Sequence, residues 1–333
     1  MRPVPVANPP NPWASSSVEY LEAPPPDIRL EVYLDHSREI LAKNNSPDVP
    51  FTYSVNPYRG CFHGCAYCYA RPSHEYLSFG AGTDFERRIV VKPHAAELLD
   101  KALRRKSWRK EAIAFSGVTD CYQPLEASYR LTRACLEVCA AHGNPVGIIT
   151  KGPLVERDAD VLEALAKVAD VHVTVSIPFW DKEQARAIEP YVATPERRLR
   201  IIENLTARGL RVGVNVAPVI PGLNDQDIPR ILTAARAAGA SSAGYVLLRL
   251  PGSVQEVFTG RLRANLPLSA DRVLHRIRET RAGQLYDPRF GVRGRGQGAY
   301  ADAIAALFQS TAARLGLRTR DRAPAEILDS SGA

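Results

Sequence analysis

From Phe51 onward, short apolar runs rich in β-branched residues alternate with longer stretches whose apolar positions recur every three or four residues. The short runs, at 51–56, 112–116, 145–150, 171–177, 210–217 and 243–250, read as strands. Helical periodicity covers 94–105, 127–141, 158–168, 195–208 and 225–238. Over 127–141 it places Leu131, Cys135, Val138 and Cys139 on one stripe, the spacing of a buried face. Asp158 and Asp225 stand where N-cap acceptors are wanted, and Gly209 and Gly239 follow two of the helices as C′ residues do.

Strand–helix alternation with strands buried on both faces predicts a parallel sheet. The fold class is α/β, either doubly wound or, as preferred here, an open partial (β/α)6 barrel over residues 51–250. In both architectures chemistry gathers at the C-terminal ends of the strands. Those ends are Asn56 onward, 116–120, 150–151, 176–177, 217–224 and Arg249. Residues 1–50, with NPPNP and APPP, lack periodicity and read as a Pro-rich arm laid over the surface or partly disordered. Residues 251–333 read as a basic, helical C-terminal extension closing one side.

Composition narrows this picture. Hydrophobic residues make up 45% and charged residues 24% of 333, so a sizeable core is expected and disorder is not. No stretch approaches the roughly 20 apolar residues that span a bilayer, and MRPVPVANPPNPW lacks the apolar core of a secretory signal. Six cysteines, three of them within eight residues, suit a reduced compartment and a metal site, so the expected location is the cytoplasm. Net charge is +7, unevenly spread: residues 249–322 carry fourteen arginines, no lysine and six acids, while the remainder sums to about −1. Such a surface fits contact with a phosphate backbone, and equally a solvated Arg-rich exterior. The loop YDPRFGVRGRGQG at 286–298 carries Arg289, Arg293 and Arg295, flexible arginines that could follow a nucleic acid or simply face solvent.

The candidate chemistry lies in NPYRGCFHGCAYCYARP, residues 56–72, on the loop leaving the first strand. Cys61, Cys65 and Cys68 are spaced Cys-x3-Cys-x2-Cys. Three thiolates on so short a loop can wrap one face of a cubane cluster and leave the fourth iron open to a small molecule. Gly60 and Gly64 fit a loop that bends sharply around it. Structural zinc completed by His63 or His74 is the rival, yet zinc loops usually add a distant second cysteine pair, and none follows. Three ordinary packed thiols would not explain a polar, Gly-rich loop.

With Tyr67 just before the last cysteine, after the first strand of a six-unit β/α domain, this pattern resembles the radical S-adenosylmethionine superfamily over residues 51–250. The resemblance implies a 4Fe-4S cluster on Cys61, Cys65 and Cys68, and S-adenosylmethionine chelating the open iron. It also implies reductive cleavage to a 5′-deoxyadenosyl radical, and an electron donor such as flavodoxin or ferredoxin. By the same resemblance Tyr67, Ser116, Gly117, Thr119, Asp120, Lys151 and Ser176 fall at cofactor-holding positions. VAPVIPGLND, at 216–225, looks like the adenine-side turn.

Narrower wording resembles the spore photoproduct lyase branch and its uncharacterised bacterial relatives, often labelled DNA repair photolyase, over residues 35–300. That wording is GC-x3-C-x-YCY, the following TD, HEYL, RRIVVKP, APVIPGLND and YVLLRLP. The lyase reverses a thymine–thymine crosslink, with a cysteine returning hydrogen and two tyrosines assisting. Tyr67 and Tyr69 match the tyrosines, and ordinary packing around the cluster is the alternative for both. Gly117 stands where the donor cysteine is expected, which puts thymine-dimer repair in doubt. Cys121, four residues on, is either a displaced donor or a small buried residue, while Cys135 and Cys139 read as core packing. The expected function is radical chemistry on a bulky, nucleic-acid substrate. The alternatives are radical modification of a peptide or tRNA, and a non-catalytic zinc-stabilised nucleic-acid-binding module.

Overall fold

The structure, a computed structural model, describes residues 30–49 and 51–319, so most of the expected N-terminal arm lies outside the described residues. Its strands are β1 (Glu31–Leu34), β2 (Leu41–Lys43), β3 (Tyr53–Val55), β4 (Tyr58–Arg59), β5 (Arg88–Val91), β6 (Ile113–Phe115), β7 (Val146–Thr150), β8 (Val171–Ser176), β9 (Val212–Val219), β10 (Ser242–Leu247) and β11 (Arg318–Thr319). The six expected strands lie side by side in chain order, all parallel, as β3-β6-β7-β8-β9-β10. Antiparallel β2 extends one edge and parallel β11 the other, and those edges do not pair with each other. The barrel is therefore open. A small sheet, β1-β5-β4, flanks it, built partly from the RRIVVKP segment that sequence periodicity had not marked as a strand.

Helices Ala95–Leu103, Leu131–His142, Ala159–Ala166, Pro195–Ala207 and Ile228–Ala237 form the crossovers, within a few residues of expectation. The stretch expected at 127–141 is broken at Arg130, whose left-handed φ of 52° separates a short turn from the helix proper. Gly209 and Gly239 end their helices with φ of 78° and 102°, as read from sequence. The two expected aspartate caps do other work. Asp158 holds Arg157 at 2.7 Å and Arg133 at 3.2 Å, and Asp225 accepts from the Gly222 amide and the Tyr300 hydroxyl.

The strands are not equivalent on their two faces, a correction to the expectation of burial on both. Val146, Ile148, Val171, Val173, Val212 and Val214 pack against Leu136, Leu162, Ile202 and Ile231 of the crossovers. The alternating positions, among them Gly147, His172, Thr174, Gly213, Asn215 and Gly244, therefore face the inside of the curve. Glycine and polar residues give that face a different chemistry from the apolar outer one, and it is half-buried except at the buried Gly213. After β10, helices Val254–Asn265, Pro267–Glu279 and Ala299–Arg314 form the expected helical extension. No helix among the described residues is long and apolar enough to cross a membrane.

Candidate active site

The cysteine loop leaves β4 through two glycines in the left-handed region, the first with no room for a side chain and the second tightly surrounded. At Gly60, φ 78°, a Cβ would stand 2.8 Å from His74 and 2.9 Å from the Phe85 carbonyl. At Gly64, φ 65°, it would stand 3.3 Å from the Glu86 carboxylate. Three further ties fix the loop: Cys61 N to Phe85 O at 2.9 Å, Ala66 N to Ile188 O at 2.9 Å, and Phe62 N to Gln123 Oε1 at 3.0 Å.

Beneath the loop lies a clamp that sequence periodicity did not reveal. Arg71, fully buried, donates to the Cys65 carbonyl at 2.8 and 3.0 Å and to the Gly64 carbonyl at 3.1 Å. Its remaining N–H groups reach Ala81 O, Gly82 O and the Glu86 carboxylate at 2.6–2.9 Å. Arg261, from helix Val254–Asn265, reaches the same Glu86 oxygen and the Gly64 carbonyl. A carboxylate shared by two buried guanidiniums gives the loop a rigid floor.

All six cysteines are free, with Cys61 and Cys65 buried and Cys68 partly so. Burial pushes the Cys65 thiol up to about 12, while Lys151 pulls it and Cys68 the other way. The Lys151 ammonium lies 5.7 Å from the centre of the Tyr67 ring, so a cation stands beside the cysteine loop. Tyr67 is buried and donates to Glu189, which pairs with Arg198, and Arg198 in turn donates to the Ser176 carbonyl at 3.0 Å. This chain links the cysteine loop to the end of β8.

Three free, neighbouring thiols with a cation at hand fit a cluster that takes each thiolate on a different iron. His74, a candidate zinc ligand, turns Nε2 to the Arg88 carbonyl at 2.8 Å and packs on Phe79 and Phe85, while His63 faces Asp120 at 3.4 Å.

The strand ends expected to hold cofactor come together around this loop. Ser116 adopts a left-handed φ of 80°, and its Oγ accepts from the Cys121 amide at 2.9 Å. Such strain persists where neighbours fix it, often at functional sites. The Gly117 carbonyl accepts from the Tyr69 hydroxyl at 2.7 Å, Val118 N donates to Asn56 Oδ1 at 2.8 Å, and Thr119 Oγ1 lies 3.4 Å from Tyr58 O.

Asp120 is fully engaged. It accepts from Thr150 Oγ1 at 2.6 Å, Tyr122 N at 2.9 Å and Lys151 N at 2.7 Å. Burial alone would raise its pKa, but hydrogen bonds from His63, Thr150 and the Lys151 amide outweigh it and bring the carboxyl to about 2. Asp120 thus knits the ends of β6 and β7 together and positions its neighbours. With its amide on Asp120, Lys151 has its ammonium free to lean toward the cysteines.

Tyr67 and Tyr69 part company: Tyr67 points inward, whereas Tyr69 is half exposed with the Arg249 guanidinium 5.3 Å from its ring centre. Cys121 is expected as a hydrogen donor or a packed residue. It is fully buried in the core that also holds Cys135 and Cys139, and its carbonyl accepts from Thr132 Oγ1 at 2.7 Å. The arginine loop is tied to the rest of the fold through Gly291 and Arg293. Arg289 pairs with Asp287 at 2.6 Å, while Arg293 pairs with Asp48 and donates to Ser46 at 2.5 Å.

A family model for the radical SAM superfamily matches residues 55–235. An uncharacterized protein of Mycobacterium tuberculosis is 42% identical over 228 residues, 66% of this chain and 67% of its own length. One of Methanocaldococcus jannaschii is 30% identical over 173 residues, 52% of this chain and 62% of its own. Among solved structures, spore photoproduct lyase complexed with dinucleoside spore photoproduct superposes with a TM-score of 0.63 at 13% identity, covering 90% of this chain and 87% of that one. The likeness is one of fold.

Proposed function

Because the chain belongs to the radical SAM superfamily, whose cofactors are a 4Fe-4S cluster and S-adenosylmethionine, we propose that Cys61, Cys65 and Cys68 ligate the cluster and the adjoining strand ends hold S-adenosylmethionine. When bound, the pair supplies one-electron cleavage of a sulfonium to a 5′-deoxyadenosyl radical. The supporting observation is the cysteine loop itself, three free thiols held over Glu86 at the C-terminal ends of parallel strands. Lys151 offers its ammonium to a carboxylate or ribose hydroxyl beside the cluster. The backbone of Ser116 and Gly117 offers polar groups to an amino group, and Thr119 and Ser176 flank the same space. Tyr67, fixed by Glu189 and Arg198, walls the cluster off from water, and Tyr69 meets the substrate at the mouth. Cys121 packs.

In this reading residues 51–250 are the catalytic unit, with 1–50 as an arm and 251–333 as an extension. The substrate is nucleic acid, acted on in a lyase-like repair reaction, and the electron comes from a donor such as flavodoxin or ferredoxin in the cytoplasm. The Arg-rich 249–322 segment and the fold shared with spore photoproduct lyase support that substrate. Reconstituted without oxygen, the protein is expected to carry about four irons per chain and to release 5′-deoxyadenosine on reduction. Cys65→Ala should abolish both. Lys151→Ala should keep its iron and weaken S-adenosylmethionine binding by roughly 1.5–3 kcal/mol, the worth of a charge-assisted hydrogen bond. A colourless wild type holding stoichiometric zinc overturns the reading.

A further inference from the structure

Arg249 follows β10 by two residues, at the same ends of the sheet as the cysteine loop. Its guanidinium lies 5.3 Å from the centre of the Tyr69 ring. That ring is itself fixed, because Tyr69 adjoins Cys68 and its hydroxyl is bonded to the Gly117 carbonyl at 2.7 Å. Among the described residues Arg249 enters no ion pair or hydrogen bond, and its Nε is buried without a partner.

The arginines around it have acceptors, although Arg281, like Arg249, leaves its Nε unpaired. Arg293 holds Asp48 and Ser46, and Arg289 holds Asp287. Arg281 is buried and donates to the carbonyls of Leu248, Val292 and Arg293 at 2.8–2.9 Å. Both carboxylates of this corner are therefore taken by Arg289 and Arg293, and of the two cations left over Arg281 is buried on backbone carbonyls while Arg249 stands at the mouth. A partly desolvated guanidinium without an acceptor is costly, and such a group is retained where a ligand completes its bonds. Its planar fork, stacked on an aromatic ring, matches the two oxygens of a phosphodiester and presents a flat platform to a base.

We propose that Arg249, seated on Tyr69, holds the phosphodiester of a nucleic-acid substrate and so brings the adjacent base to the cluster loop. The proposal rests on the radical SAM reading for what happens to that base. A phosphodiester is favoured over a peptide carboxylate because the segment beginning at Arg249 carries fourteen arginines against six acids. The stacked pair also provides a surface that bases, and not carboxylates, use.

The test uses the anaerobically reconstituted holoenzyme and a fluorescein-labelled oligothymidylate, with anisotropy read across a salt series. A labelled oligoglutamate peptide runs in parallel. Arg249→Gln should weaken oligonucleotide binding about tenfold or more, the loss of a charge-assisted contact. It should also flatten the dependence of log affinity on log salt by about 0.7, one phosphate contact on a single strand. Arg249→Lys should restore part of the affinity, Tyr69→Phe should keep it, and Tyr69→Ala should lose it. Iron content equal to wild type verifies that each variant is folded. Equal oligonucleotide affinity in Arg249→Gln overturns the proposal, as does a wild type that ignores the oligonucleotide at low salt. Peptide binding that is as tight and as dependent on Arg249 overturns the phosphodiester assignment. Iron and 5′-deoxyadenosine formation in the wild type are scored separately, so failure of the radical reading is distinguishable from failure of this one.

Discussion

Glu86 accepts from Arg71 at 2.6 Å and also from Arg261, 175 residues further along the chain, with all three side chains buried. One carboxylate between two guanidiniums leaves a surplus cation under the cysteine loop, which would offset the negative charge of thiolates on the proposed cluster. Removing the carboxylate leaves both guanidiniums with backbone acceptors but without a counter-charge. Glu86→Gln is expected to cost about 3–5 kcal/mol, the usual penalty for breaking a buried pair, with iron lost in parallel. A urea midpoint and iron content equal to wild type would sink the clamp. Asp120 adds a pH dependence at the same scale. Its folded pKa of about 2 lies below the ordinary 3.8, so its stabilisation is full above pH 3.8 and disappears as pH falls through about 2. The shift is worth on the order of 2 kcal/mol, and Asp120→Asn should flatten the stability curve in that window.

Helix Pro195–Ala207 carries Arg198 to Glu189 and the Ser176 carbonyl, so its start sets one wall of the site. Thr194 accepts from the Arg197 amide and Pro195 occupies the first turn, both favoured at that position. Thr194→Ala should cost about 1 kcal/mol in chemical denaturation while cofactor affinity stays unchanged, because Arg198 is also held from its far end. A larger loss in affinity than in stability would mean the cap positions Arg198 directly. At this scale the sequence was legible where a strand is long, apolar and flanked by a helix, as at β7, β8 and β9. The short β1, β4 and β11 are hidden because two to four residues carry no period, and their neighbours decide their conformation. The polar inner face of β8 and β9 was hidden too, since His172, Thr174 and Asn215 are half-buried there among glycines and not in the apolar core. The cysteine motif announces itself by spacing. The partners beneath it do not, because Tyr67 and Glu189 are separated by 122 residues and Arg71 and Glu86 by 15.

Across the whole molecule, the arginine-rich C-terminal third is tied back to the start of the main sheet at Asp48, in the turn between β2 and β3. Asp48 accepts from the Gly291 amide at 2.7 Å and from the Arg293 side chain, contacts that span more than 240 residues. Burial opposes its ionisation, yet the Gly291 amide and Arg293 prevail and its pKa falls below the ordinary value. The tie therefore stabilises above the ordinary aspartate range and is lost as pH drops through the lower folded value. Because the partners lie at 13% and 16% exposure, little water screens them, and a coupling above the surface median is expected. In a double-mutant cycle of Asp48→Ala and Arg293→Ala, the interaction energy should be about 1–3 kcal/mol near neutral pH and should vanish at strongly acid pH. Protease cleavage within 286–296 should rise in each single variant, while iron content holds, because the cysteine loop is anchored separately by Arg71 and Arg261. Additivity within about 0.5 kcal/mol, with no gain in cleavage, would mean that the extension is held by its helices alone.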